Sequence, residues 1–133
     1  MKVSNSIKKN AGFVNKFLKK ELKGNPKQLY DAASHLILHG GKRLRPFLVL
    51  KSCQMLGGRQ SDAIAAASAV EMIHNFTLVH DDIMDNDEMR HGVPTTHKKF
   101  DVPLAILAGD VLYSKAYHTI SSKSKLSSNY TTQ

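Results

Sequence analysis

The chain has 133 residues, enough for one modest core, and its 41% hydrophobic and 23% charged content excludes wholesale disorder. A single cysteine, Cys53, excludes an internal disulfide and a four-cysteine zinc site, and points to a reducing, cytoplasmic setting. The formal net charge of +8 raises the question of a polyanionic partner.

The opening segment, MKVSNSIKKNAGF, carries lysines but no apolar stretch of signal-peptide length. Eight of the 19 Lys and Arg residues lie in the first 27 positions, at helical intervals and with little aromatic interleaving. They read as a solvated helix face, with RNA or an acidic surface as the lesser alternative. Val14, Phe17, Leu18 and Leu22 keep the three-and-four spacing of an amphipathic helix starting near Ser4 or Ser6, and Gly24-Asn25-Pro26 breaks it. Asn25 is expected to cap the next helix, with Pro26 at its first position and Gln28 as the capping-box partner. Leu29, Ala32, Ala33, Leu36 and Ile37 give that helix its apolar side, and Gly40-Gly41 stops it.

A third helix is expected over 46–55, ending at Gly57-Gly58. Ser61 then caps a long fourth, in which Ile64, Ala67, Val70, Ile73, Thr77 and Leu78 run without a break into HDDIMD. The weakly polar run 63–70 is too short to span a bilayer, so no transmembrane segment is expected. Residues 86–95, polar and containing Gly92 and Pro94, predict a loop, and 101–120 a further helix. No strand pair, repeat or inter-domain linker is apparent. One helical domain over 1–120 is therefore expected, followed over 121–133 by a polar tail too poor in apolar groups to order itself.

Five of the 11 acidic residues are crowded between Asp81 and Glu88. On a helix Asp81 and Asp85 share a face, and His74 lies two turns back on nearly the same line. Like charges at that spacing, close to a helix C-terminus, oppose each other and the macrodipole. A divalent cation reverses the sign, and hard oxygen ligands without cysteine favour Mg2+, its shell completed by water and phosphate oxygens. His80 and Asp81 project about 100° apart and do not share one ion. A solvated acidic helix end is the bland alternative. Against it stands the company the cluster keeps: GGKRLRP, at 40–46, places flexible backbone and Lys42, Arg43 and Arg45 at a helix junction suited to a diphosphate, and Arg90 follows the carboxylates closely.

GGKRLRP, HDDIMD, DEMRHGVPTTH and LAGDVLYSKAY, in that order between Leu29 and Ala116, strongly resemble the trans-isoprenyl diphosphate synthases. Within that family the closest branch is the archaeal-type geranylgeranyl and farnesyl diphosphate synthases. The resemblance implies an all-α fold, the N-terminal part of an isoprenoid-synthase helical bundle, in a short-chain prenyltransferase that condenses isopentenyl diphosphate with allylic diphosphates. It implies Mg2+ on Asp81 and Asp85 with Asp82 in support, Arg90 on the allylic diphosphate, and Lys42, Arg45 and His74 on isopentenyl diphosphate. His91 stands where the family has a second arginine; as a neutral imidazole it replaces the missing fork only in part. Phe76 and Thr77, just upstream of the aspartates, are implied in product length. A homodimer is implied as well, without nucleic acid.

The family's second aspartate-rich motif is absent, so the chain reads as the N-terminal portion of such an enzyme, inactive alone. The alternative is a non-catalytic remnant or partner subunit that binds diphosphate or a full-length homologue.

Overall fold

A computed structural model of the chain describes residues 2–123. They form α1 (Lys2–Glu21), α2 (Lys27–His39), α3 (Leu44–Met55), α4 (Gln60–Met84), a two-strand ladder of β1 (Met89–Arg90) and β2 (Val93–Pro94), α5 (Thr96–Lys99) and α6 (Val102–Lys123). The all-α expectation holds. Among these residues no helix is long and apolar enough to cross a membrane. Of the tail expected over 121–133, residues 121–123 form the last turn of α6, and 124–133 lie outside the described residues.

Helix boundaries depart from the expected caps for local reasons. Pro26 takes the N-cap of α2 in an extended conformation, with φ −65° and ψ 140° and no side-chain cap bond. That leaves Asn25 one residue too far out to cap the first turn. Arg59, two residues ahead of Ser61, is the N-cap of α4, and its amide donates to Asp62 Oδ2 at 3.0 Å. The reciprocal carboxylate of a capping box is therefore supplied from inside the helix.

The 86–95 segment is not wholly irregular. Met89 pairs with Pro94 and Arg90 with Val93, antiparallel, around His91 and Gly92, whose φ values are 54° and 79°. Two consecutive positive φ angles make a tight turn whose twist suits a hairpin. The turn lacks the usual sequence signal, because histidine stands where Asn or Asp commonly precedes the glycine.

α4 is the central helix, packed against α6 on one side and α3 on another. Small residues allow that closeness: Ala67 and Ala69 of α4, and Ala105, Ala108 and Ala116 of α6, are all buried. Leu112 completes the α6 contribution, while Val14, Leu18, Leu36, Ile37 and Leu50 fill the core from α1, α2 and α3. Of the apolar row 64, 67, 70, 73, 77 and 78, only Ala67 is fully buried, and Leu78 is half-buried. Ile64 and Ile73 are half-buried, and Val70 and Thr77 are exposed. The buried row is Ser68, Met72, Asn75, Val79 and Asp82, with Glu71 beside it. A helix apolar on several sides carries no phase in its periodicity, so its neighbours choose the face.

Candidate functional site

The buried row of α4 carries two carboxylates, and each holds one arginine of a basic motif. Glu71 accepts from Arg43 Nη1 at 2.9 Å, with side-chain exposures of only 5% and 3%. Arg43 also donates to the Gly40 carbonyl at 2.7 Å, to Asn15 Oδ1 at 2.8 Å and to the Ile37 carbonyl. A buried charge needs this many partners to offset its desolvation. Asn75 Nδ2 adds a bond to the Glu71 carbonyl at 2.9 Å. Of the three cations in 40–46, Arg43 is thus the internal anchor, and Lys42 and Arg45 are left exposed. The anchoring sets the loop: Arg43 has φ 54° and Gly41 has φ 95°, left-handed conformations that turn the chain abruptly from α2 into α3.

Three turns along α4, the second carboxylate repeats the arrangement. Asp82 is fully buried, and its Oδ1 accepts from Arg90 Nε at 2.7 Å and Nη2 at 2.6 Å. This pairing holds the Arg90 guanidinium above its usual pKa. Asp87 stands at 3.7 Å from Nη2, and the Asp87 amide donates to the Asp82 carbonyl at 2.9 Å, pinning the hairpin to the end of α4. Arg90 Nη1 bonds no described residue, and Asp82 Oδ2 is buried without a partner among the described residues. Asp82 is therefore placed apart from Asp81 and Asp85, which are exposed.

Asp81 and Asp85 are joined through the last turn of α4, the Asp85 amide donating to the Asp81 carbonyl at 2.8 Å. Neither carboxylate accepts a hydrogen bond from a described residue, and no three His, Cys, Asp or Glu side chains gather into a metal cluster among the described residues. Two free carboxylates fit an ion that takes most of its shell from water and ligand oxygens, which is the habit of Mg2+. His80 turns away toward α6, its Nε2 3.2 Å from the Ile106 carbonyl, as its position relative to Asp81 requires.

The exposed cations meet two histidines in one pocket of about 590 Å3. Lys42, Arg45, His74 and His91 all line it, drawn from three separate parts of the sequence. Arg45 Nη1 lies 3.2 Å from His74 Nε2, so that nitrogen is the acceptor and the ring is neutral. Burial lowers the His74 pKa, and the Arg45, Arg90 and His91 charges lower it further, against the opposing pull of Glu71. His91 reaches the pocket because Gly40 has no side chain: a Cβ at Gly40 would come within 2.6 Å of the His91 ring.

Phe76 faces α6, its ring centroid 5.2 Å from that of Tyr113 and 4.7 Å from that of His80, and Tyr117 continues the row 4.9 Å beyond Tyr113. Thr77 is exposed, its hydroxyl donating to the His74 carbonyl at 2.7 Å. The sequence did not single out Glu71, Tyr113 or Tyr117, and read Arg43 only as one of three cations; their roles arise from contacts between helices.

Residues 26–132 match the polyprenyl synthetase family, a span wider at both ends than the motifs themselves. The chain is 52% identical over 120 residues to geranylgeranyl pyrophosphate synthase of Geoglobus acetivorans, covering 90% of this chain and 38% of that protein. It is 52% identical over 107 residues to geranylgeranyl diphosphate synthase of Saccharolobus solfataricus, covering 80% and 32%. Among solved structures, the geranylgeranyl pyrophosphate synthetase of Pyrococcus horikoshii superposes with a TM-score of 0.89 at 44% identity, over 95% of this chain and 39% of that one. The Geoglobus enzyme superposes at 0.84, over 88% and 39%. The chain therefore spans well under half the length of these relatives. Matched in ordered motifs, in sequence and in fold, it belongs to the polyprenyl synthetase family.

Proposed function

We propose that this chain forms the diphosphate-gripping portion of a short-chain prenyltransferase that joins isopentenyl diphosphate to an allylic diphosphate. The observation that carries this reading is the convergence of Lys42, Arg45, His74 and His91 on one pocket, beside a helix that ends in the free carboxylates Asp81 and Asp85.

In this reading Lys42 and Arg45 bind the isopentenyl diphosphate, and His74 and His91 supply directed hydrogen bonds to it. Arg90, locked by Asp82, offers its remaining Nη1 to the allylic diphosphate. Asp81 and Asp85 hold Mg2+, which when bound neutralises the departing diphosphate. The carbon–oxygen bond of the allylic substrate breaks, the isopentenyl double bond attacks the resulting cation, and a proton is lost from the adduct. No protein nucleophile is required; the side chains bind, orient and balance charge. Phe76 limits the length of the growing chain, and Thr77 stands beside it.

A homodimer and a cytoplasmic setting belong to the same proposal, the second supported by the lone Cys53. The partner-subunit alternative takes its support from the name of an Arabidopsis thaliana relative, 48% identical, as the large subunit of a heterodimeric synthase.

The test is a fusion of this chain to the remaining portion of the Geoglobus enzyme, assayed with labelled isopentenyl diphosphate. Mg2+-dependent prenyl product, lost when Asp81 and Asp85 become alanine, supports the reading. A folded fusion that binds neither diphosphate removes it.

A further inference from the structure

The lysines of α1 take no part in the site above, and their arrangement is one-sided. Asn10, Val14, Leu18 and Glu21 are buried on the inner face. On the opposite face Lys9, Phe13, Lys16 and Lys20 follow one another at helical intervals and are all exposed. Phe13 is 49% exposed and lies with Lys9, Gly12 and Lys16 around a shallow depression. A Cβ on Gly12 would meet nothing within 4 Å, so packing does not demand glycine there. Six exposed lysines lie from Lys8 to Lys23, and the one carboxylate in that span, Glu21, is buried and paired with Lys123, while Lys27 beyond it is paired with Asp31.

We infer that the outer face of α1 docks on an anionic membrane surface, with Phe13 entering the headgroup region and the surrounding lysines paired with lipid phosphates. Charge complementarity carries the choice of partner, because the face presents cations with no exposed carboxylate among them. A cationic helix face with an aromatic anchor lies in the interface plane without spanning the bilayer. RNA fits less well. The face has no arginine, the first in the chain being Arg43, and Phe13 is the sole exposed aromatic residue among the described residues of α1, so neither forked phosphate contacts nor a row of stacking rings is available.

Vesicle flotation of the full 133-residue chain tests this, comparing phosphatidylcholine alone with phosphatidylcholine containing about one-third phosphatidylglycerol. Binding is expected only to the anionic vesicles, and it falls as salt is raised. Lys9→Gln/Lys16→Gln/Lys20→Gln should weaken it about a hundredfold, at roughly fivefold per lysine. Phe13→Ser should weaken it about tenfold with charge unchanged. The chain contains no tryptophan, so Phe13→Trp is a single reporter whose emission should shift to the blue on anionic vesicles. A control with equal charge loss elsewhere, Lys51→Gln/Lys98→Gln/Lys99→Gln, should still bind. Equal loss in both triple variants, no blue shift, or binding to a generic RNA oligonucleotide but not to vesicles would overturn the inference.

Discussion

Arg90 reaches one oxygen of Asp82 with both Nε and Nη2, in an ion pair whose carboxylate is fully buried and whose guanidinium is still partly open to solvent. One member of the acidic cluster is thereby spent on holding the hairpin. Removing either partner of a buried pair leaves the other uncompensated, typically at about 3–5 kcal/mol. Asp82→Asn is expected to destabilise the chain by about 3 kcal/mol and to free the hairpin. Urea unfolding measures the first effect, and faster amide exchange at Asp87 and Thr95 the second.

Arg43 and Glu71 make the parallel prediction for the glycine-rich junction. Arg43→Ala removes four contacts from the interior and strands Glu71, for an expected loss of about 3–5 kcal/mol. Arg43→Lys rescues little, since one ammonium cannot reach partners on both sides of the fork. Thermal unfolding separates this from Lys42→Ala, which should leave stability nearly unchanged and weaken diphosphate binding.

Asp81 and Asp85 should show the opposite sign. They repel each other and the end of α4, so Asp81→Asn/Asp85→Asn is expected to stabilise the chain by about 0.5–1 kcal/mol in chelator. The same variant should lose the Mg2+-dependent part of diphosphate binding. Calorimetry in which the double variant binds Mg2+ and diphosphate as the parent does would refute the assignment.

Stability should fall on mild acidification because of His35. Its Nε2–H donates to the Pro94 carbonyl at 2.8 Å, and its Nδ1 faces Lys99 Nζ at 3.4 Å. Burial lowers its pKa, and the Lys99 charge lowers it further despite the Pro94 bond. As pH drops below about 6.5, the unfolded chain takes up the proton first, so stability declines until the native pKa is passed. His74 adds a contribution of the same sign. His35→Gln keeps a donor for Pro94 and should flatten the slope between about pH 7 and pH 5 in denaturant midpoints.

Phe76 packs on Tyr113, so truncating it opens space toward α6. In the fusion described above, Phe76→Ala should shift products to longer chains, read by chromatography of the dephosphorylated alcohols. The chain alone should give no condensation product, since among the described residues one helix carries an aspartate-rich motif. Mg2+-dependent product from the unfused chain, abolished by Asp81→Ala, would contradict this.

Helix content, the order of the motifs and the shared face of Asp81 and Asp85 were determined by the sequence itself, because 3.6-residue periodicity, glycine and proline breaks and i,i+4 spacing are local properties. The tertiary structure alone decided which face of α4 is buried, since a helix apolar on several sides has no preferred phase until α3 and α6 pack on it. It also decided that Arg43 and Arg90 turn inward while Lys42, Arg45 and His91 stay open. These basic residues look alike in sequence; they part company only where a buried carboxylate 28 residues away, or 8, can meet one guanidinium and offset its desolvation.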